Sequence, residues 1–125
     1  QTFKIKLPKV FFRCFENIKS NFLMTAHIIY ENVDKNLPAT YSSLIIKNII
    51  KSKLKFRGLI MSDDLCMKAL SGSIEKKVSK SFEAGCDIIL HCSWNFHEMN
   101  KLLIVTKFAS DGLLAKMNKM FNYNQ

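Results

Sequence analysis

The chain has 125 residues and carries 19 Lys and Arg against 10 Asp and Glu, a formal net charge of +9; its length suits one modest core. The basic excess is spread along the sequence rather than gathered in one arm, so specific nucleic-acid binding is not expected. No apolar run is long enough to span a bilayer and no leader pattern is evident, so neither membrane insertion nor export is expected.

Phe3, Ile5 and Leu7 alternate with Lys4 and Lys6, which predicts an amphipathic strand or extended arm over residues 1–10, ending at Pro8. An arm of that kind at position 1 leads to the expectation of a further segment ahead of it. Phe11, Phe12, Phe15 and Ile18 recur at helical spacing and predict a short helix over 11–18. An apolar run over 22–26 ends at His27, and Ile28, Ile29 and Tyr30 lead into a polar loop over 31–39. Ser42 suits a helix cap ahead of Leu44, Ile45, Ile46, Ile49 and Ile50, an apolar face of period 3.6. That α-helix should finish near Lys53, where Lys51 and Lys53 complement its negative end.

Gly58 opens the stretch around which the rest is arranged. Leu59, Ile60 and Met61 run straight into Ser62, Asp63 and Asp64. A short apolar run stopping at polar residues predicts a buried strand that delivers its last side chains to the carboxyl edge of a sheet, where chemistry sits in α/β folds. The competing reading is that Ser62, Asp63 and Asp64 merely cap the following turn.

Ser71-Gly72-Ser73 marks a turn, and Ser73 suits the cap of a helix with Glu75 in its first turn and Ile74, Val78 and Phe82 facing inward. Gly85 stands where a C-cap glycine belongs. A second buried strand is predicted over 86–90, ending at His91 and Cys92. Asn95 and Glu98 match a capping box for a helix whose inner face is Met99, Leu102 and Leu103. Asp111-Gly112 is expected to break that pattern before a last short helix over 113–120. Cys14, Cys66, Cys86 and Cys92 show no Cys-x-x-Cys pair. Reduced, mostly buried thiols are therefore expected, with no metal and no cofactor. Strands alternating with helices predict an α/β fold with parallel strands. Three such units leave open sheet edges, which argues against a closed domain.

Met24-Thr25-Ala26-His27, Leu37-Pro38-Ala39-Thr40 with Ser42, the block Phe56-Arg57-Gly58-Leu59-Ile60-Met61-Ser62-Asp63-Asp64-Leu65-Cys66-Met67-Lys68-Ala69-Leu70, and Ala84-Gly85-Cys86-Asp87 follow one another in a set order. That series, over residues 5 to about 105, resembles the bacterial β-N-acetylhexosaminidases of glycoside hydrolase family 3. The resemblance implies a partial (β/α)8 TIM barrel, comprising its last three or so strand–helix units, with residues 1–125 as a carboxy-terminal portion of the catalytic domain. It also implies retaining hydrolysis of terminal N-acetyl-β-D-glucosamine from peptidoglycan fragments, in cytoplasmic cell-wall recycling. A β-glucosidase of the same family is the less favoured enzyme reading.

The family nucleophile falls on Asp63, a carboxylate that can attack an anomeric carbon and form a glycosyl-enzyme intermediate. By the same resemblance Ser62 and Asp64 shape the site, and His27 and Met67 stand on the sugar side. The alternatives are a histidine that satisfies polar neighbours and a methionine that packs the loop. Leu7-Pro8-Lys9-Val10 matches the family's Leu-Pro-x-Val segment. Counted back from it, the family's Asp-His acid/base pair falls on Thr2 and Lys4. Threonine does not titrate usefully, and a lysine pKa lies about four units above that of histidine. The family's amino-terminal sugar-gripping residues have no counterpart here. The expectation is therefore a chain with little activity alone, either a non-catalytic remnant or one half of a split hydrolase that a complementary amino-terminal fragment completes.

Overall fold

The computed structural model describes residues 3–6, 8–15 and 19–121. Two parallel strand pairs carry the chain. β4 (Leu59–Met61) lies against β2 (Phe22–Met24), with Phe22 opposite Leu59 and Met24 opposite Met61. β1 (Phe3–Ile5) lies against β3 (Ile28–Tyr30). Leu59 and Ile60 are both fully buried, so both faces of β4 are covered, as parallel strands between crossover helices require.

β2 leads to β4 through a helix over Leu44–Lys53, and β4 leads to the extended segment 86–90 through α2 (Ile74–Ala84). α1 (Lys9–Phe15) precedes β2, while α3 (Phe96–Val105) and α4 (Asp111–Phe121) follow the last extended segment. These alternating units form small open parallel sheets, an α/β fold that is part of a barrel rather than a closed one. Leu7 and Ile18, placed by the sequence pattern on the first strand and first helix, lie outside the described residues.

One core joins Ala39, Ile45, Ile46, Ile50, Ile60, Ala84 and Cys86, and a second joins Leu65, Leu70 and Val78. Ile46 is fully buried, and burial of such a side chain stabilises by about 1.5–3 kcal/mol. Lys51 Nζ reaches the carbonyl of Gly85 at 3.1 Å, placing a cation on the negative end of α2. Gly85 takes φ 113° as the C-cap of that helix, a left-handed geometry that glycine adopts without Cβ strain.

Five elements differ from their predicted form. Ile28–Tyr30, expected to lead into a loop, is the strand β3 paired with β1. The Leu44–Lys53 segment is a ten-residue π-helix, not an α-helix. The N–H of Leu54 reaches back to the carbonyl of Ile49, and that of Phe56 to Ile50. This wider winding still seats Ile45, Ile46 and Ile50 in the core. Ser42 caps it as expected, its Oγ accepting the N–H of Ile45 at 3.2 Å.

The segment 86–90 makes only a single bridge to β4, Met61 opposite Ile88, because side chains replace part of the backbone ladder. Asp87 Oδ2 accepts the N–H of Ile60, and Ser62 Oγ accepts that of Leu90, both at 2.9 Å. Asp111-Gly112 forms the first turn of α4 rather than a break, since Ser110 Oγ accepts the N–H of Leu113 and acts as the cap. Of the expected α3 face only Leu102 is half-buried, whereas Met99 and Leu103 are exposed.

Candidate active site

The pairing of β2, β4 and residue 88 brings three chain exits to one sheet edge, where the polar residues that follow each strand meet. Ser62 is fully buried and acts as a staple: its N–H donates to the carbonyl of Ile88 at 2.9 Å and its Oγ accepts from Leu90. Asp63 is half-buried at the strand end, and its Oδ1 accepts the N–H of Asp64 at 2.8 Å, which orients the carboxylate.

Asp64 knits the edge together. Its Oδ1 accepts the N–H groups of Cys66 and Cys92, each at 3.0 Å. Burial pushes its carboxyl up, but those two N–H groups, the Cys66 thiol and the charge of His91 outweigh this and hold it below the ordinary value. Its carbonyl accepts the Met67 N–H at 3.1 Å and meets His27 Nε2 at 2.9 Å. A carbonyl only accepts, so Nε2 carries the hydrogen there. His27 Nδ1 meets Thr40 Oγ1 at 2.8 Å, and Thr40 Oγ1 lies 3.0 Å from Thr25 Oγ1. His27 is 3% exposed, so its ring ties the loop after β2 to the backbone beside Asp63. Met67 is 45% exposed on the turn beyond.

The fold thus unites Ser62, Asp63 and Asp64 at one edge, with His27 behind them and Met67 on the rim. Lys4 is exposed on β1, in the other strand pair, and Thr2 lies outside the described residues. The spacing of the cysteines along the chain hides a cluster that folding assembles: one ligand-type atom each from Asp64, Cys66 and His91 lies within 4.8 Å of the others. A signal for it was present, because His91 follows the segment adjacent to β4 and parallel neighbours deliver their exits to the same edge. All four thiols are free, but only Cys86 is buried, while Cys14 and Cys92 are exposed. The expectation of mostly buried thiols therefore fails where strand exits and helix surfaces face outward.

A recess of about 1750 Å³ runs along β2 from Asn21 to Met24, and its lining also includes Lys19, Lys53, Arg57, Gly58 and Lys116. Neither Asp63 nor Asp64 lines it. No helix among the described residues is long and apolar enough to cross a membrane.

Residues 2–119 match the glycosyl hydrolase family 3 N-terminal domain. A β-hexosaminidase from Nitrosomonas eutropha is 44% identical over 73 residues, which cover 57% of this chain and 21% of that protein. Among solved structures, NagZ from Neisseria gonorrhoeae superposes with a TM-score of 0.69 at 31% identity, over 87% of this chain and 30% of that one. CbsA from Thermotoga neapolitana gives 0.67 at 28% identity, over 97% and 31%. The chain thus spans about a fifth of the curated relative it matches and under a third of these solved ones. With its family domain matched along nearly its whole length and its strand–helix units superposed on those of NagZ and CbsA, this chain belongs to glycosyl hydrolase family 3 as part of a larger catalytic domain.

Proposed function

We propose that residues 1–125 form the carboxy-terminal, nucleophile-bearing portion of a family 3 β-N-acetylhexosaminidase catalytic domain, inactive alone and requiring a complementary amino-terminal part for turnover. The observation that carries this reading is the placement of Asp63: a half-buried carboxylate at the carboxyl end of a buried parallel strand, oriented by the Asp64 N–H. That is the position from which a barrel carboxylate attacks an anomeric carbon. Ser62 anchors the strand end, and Asp64 and His27 hold the backbone beside the nucleophile. Met67 borders the sugar. The substrate is a terminal N-acetyl-β-glucosaminide, of the kind found in peptidoglycan fragments processed in the cytoplasm.

Inactivity alone follows from the chemistry that a retaining glycosidase requires. A second group must protonate the leaving oxygen and then activate water. The family positions for it carry Thr2 and Lys4, and general acid–base assistance is worth about 10² to 10⁴ in rate. The open sheets also leave Asp63 without the enclosure that excludes water from such a site.

The test is hydrolysis of 4-nitrophenyl N-acetyl-β-glucosaminide by the chain alone and with an amino-terminal fragment of a relative that carries the acid/base loop. No turnover is expected alone. Partial turnover is expected on complementation, and Asp63→Asn should abolish it. Robust turnover by the lone chain, lost in Asp63→Asn, would overturn the inactivity. Turnover that survives Asp63→Asn would overturn the nucleophile.

A further inference from the structure

We propose that Asp64, Cys66 and His91 form a binding site for a thiophilic divalent cation of the zinc type. The three residues sit on two adjacent strand exits, and their ligand atoms lie within 4.8 Å of one another. Cys66 Sγ is 3.1 Å from His91 Nδ1. The scaffold beneath them is stapled in place: Leu65 N–H donates to the Leu90 carbonyl at 3.0 Å, and Cys92 N–H donates to Asp64 Oδ1.

The orientation of the imidazole is a second, independent observation. Ser93 Oγ donates to Glu98 Oε2 at 2.8 Å, so toward His91 Nε2, also at 2.8 Å, it acts as acceptor. The ring proton is therefore held on Nε2, with the Glu98 carboxylate 3.5 Å away. That leaves Nδ1 as the ring nitrogen available to a metal, with the sulfur beside the ring, 3.1 Å from Nδ1 and 3.8 Å from Nε2. An imidazole whose one nitrogen is held by a serine and a carboxylate, with a thiol and a second carboxylate beside the ring, has the outer-shell support of metal-binding histidines. The His91 side chain is only 6% exposed, so the ring stays within the cluster, and a turn about its own bonds brings Nδ1 to a shared metal.

One sulfur, one nitrogen and one oxygen suit a borderline-soft cation such as Zn²⁺ rather than Mg²⁺ or Ca²⁺, which take oxygen ligands. In a tetrahedral zinc site these atoms stand about 3.3–3.8 Å apart, from the usual bond lengths, so the metal needs only side-chain-scale adjustment. Three protein ligands leave the fourth position to water. Binding replaces the Cys66 S–H bond with a sulfur–metal bond, and the thiol proton passes to solvent, so about one proton is released per ion bound. The site is independent of the hydrolase reading, since neither Asp63 nor activity enters its measurement.

The experiment is a Co²⁺ titration of the reduced full chain, followed by absorption, with Zn²⁺ as competitor. One equivalent of Co²⁺ should produce a thiolate-to-metal charge-transfer band that Zn²⁺ removes. Cys66→Ser and His91→Gln should each lose the band, with circular dichroism confirming that they remain folded. The double variant Cys14→Ser/Cys92→Ser should keep it. Glu98→Gln should weaken affinity about 10- to 100-fold, the usual loss when a ligand's outer partner is removed. Absence of the band in the folded unsubstituted chain overturns the site, and so does a band that survives Cys66→Ser or vanishes with Cys14 and Cys92.

Discussion

Asp34 and Tyr41 show how single polar atoms set local stability. Asp34 Oδ1 accepts the N–H groups of Asn36 and Leu37, and Oδ2 accepts Ser42 Oγ–H at 2.7 Å. Burial raises its carboxyl pKa, but these bonds outweigh that and lower it below the ordinary value. A lowered folded pKa means that the ionised form is favoured by folding. Its contribution is complete above the unfolded pKa and is lost as pH falls through the folded one. Asp34→Asn should therefore lower stability at neutral pH and flatten the acid limb of a urea-stability profile, whereas an unchanged acid limb would rule the group out. Tyr41 is the opposite case. Its hydroxyl is buried without a hydrogen-bond partner among the described residues, and burial pushes its pKa up to about 12. Removing an unsatisfied buried hydroxyl is neutral or favourable. Tyr41→Phe should thus leave the urea midpoint unchanged or raise stability by up to about 1 kcal/mol. A loss beyond that would show that the hydroxyl contributes a bond.

Two glycines control how elements meet. A Cβ on Gly58 would lie 2.6 Å from the carbonyl oxygen of Asn21 and 2.9 Å from its carbon. Those are backbone atoms of the chain entering β2, and they cannot yield without parting the strands where Leu59 N–H bonds Asn21 at 2.8 Å. Gly58→Ala should destabilise by about 1–3 kcal/mol, the range for overpacking a tight contact. The shift should be visible as a lower thermal midpoint with unchanged far-ultraviolet dichroism below it. Gly85 differs in kind: its strain is conformational, at φ 113°, and a Cβ would also press on Ile46 Cγ2 at 3.0 Å. Gly85→Ala should cost at least about 1 kcal/mol. Equal stability of the two proteins would show that the C-cap tolerates a side chain. The π-helix belongs at this scale too, because its isoleucine spacing is compatible with either winding.

At the scale of the whole molecule, apolar side chains on the carboxy-terminal elements are unusually bare. Trp94 and Phe108 are fully exposed, and Leu103 and Ile104 nearly so. Trp94 is the single tryptophan of the chain and therefore reports directly on assembly. In the lone chain its emission should be red-shifted, and acrylamide should quench it as efficiently as a free indole. A blue-shifted, protected emission would show that this face is covered in solution. The bareness agrees with a chain that spans about a fifth of its curated relatives.

Legible in the residues alone were most of the order of units (though not β3), the buried β4 run, the polar edge at Ser62, Asp63 and Asp64, and the caps at Ser42, Gly85 and Asn95. Each depends on residues close together in the chain, where periodicity and backbone preference act. Tertiary structure alone decided the π-winding of 44–53, the replacement of ladder bonds by Asp87 and Ser62, and the commitment of His27 to Thr40 and Asp64. It also decided the meeting of Cys66 with His91, 25 residues later. These depend on which strands become neighbours. Strand pairing is chosen by burial across the whole core, and no local spacing records it.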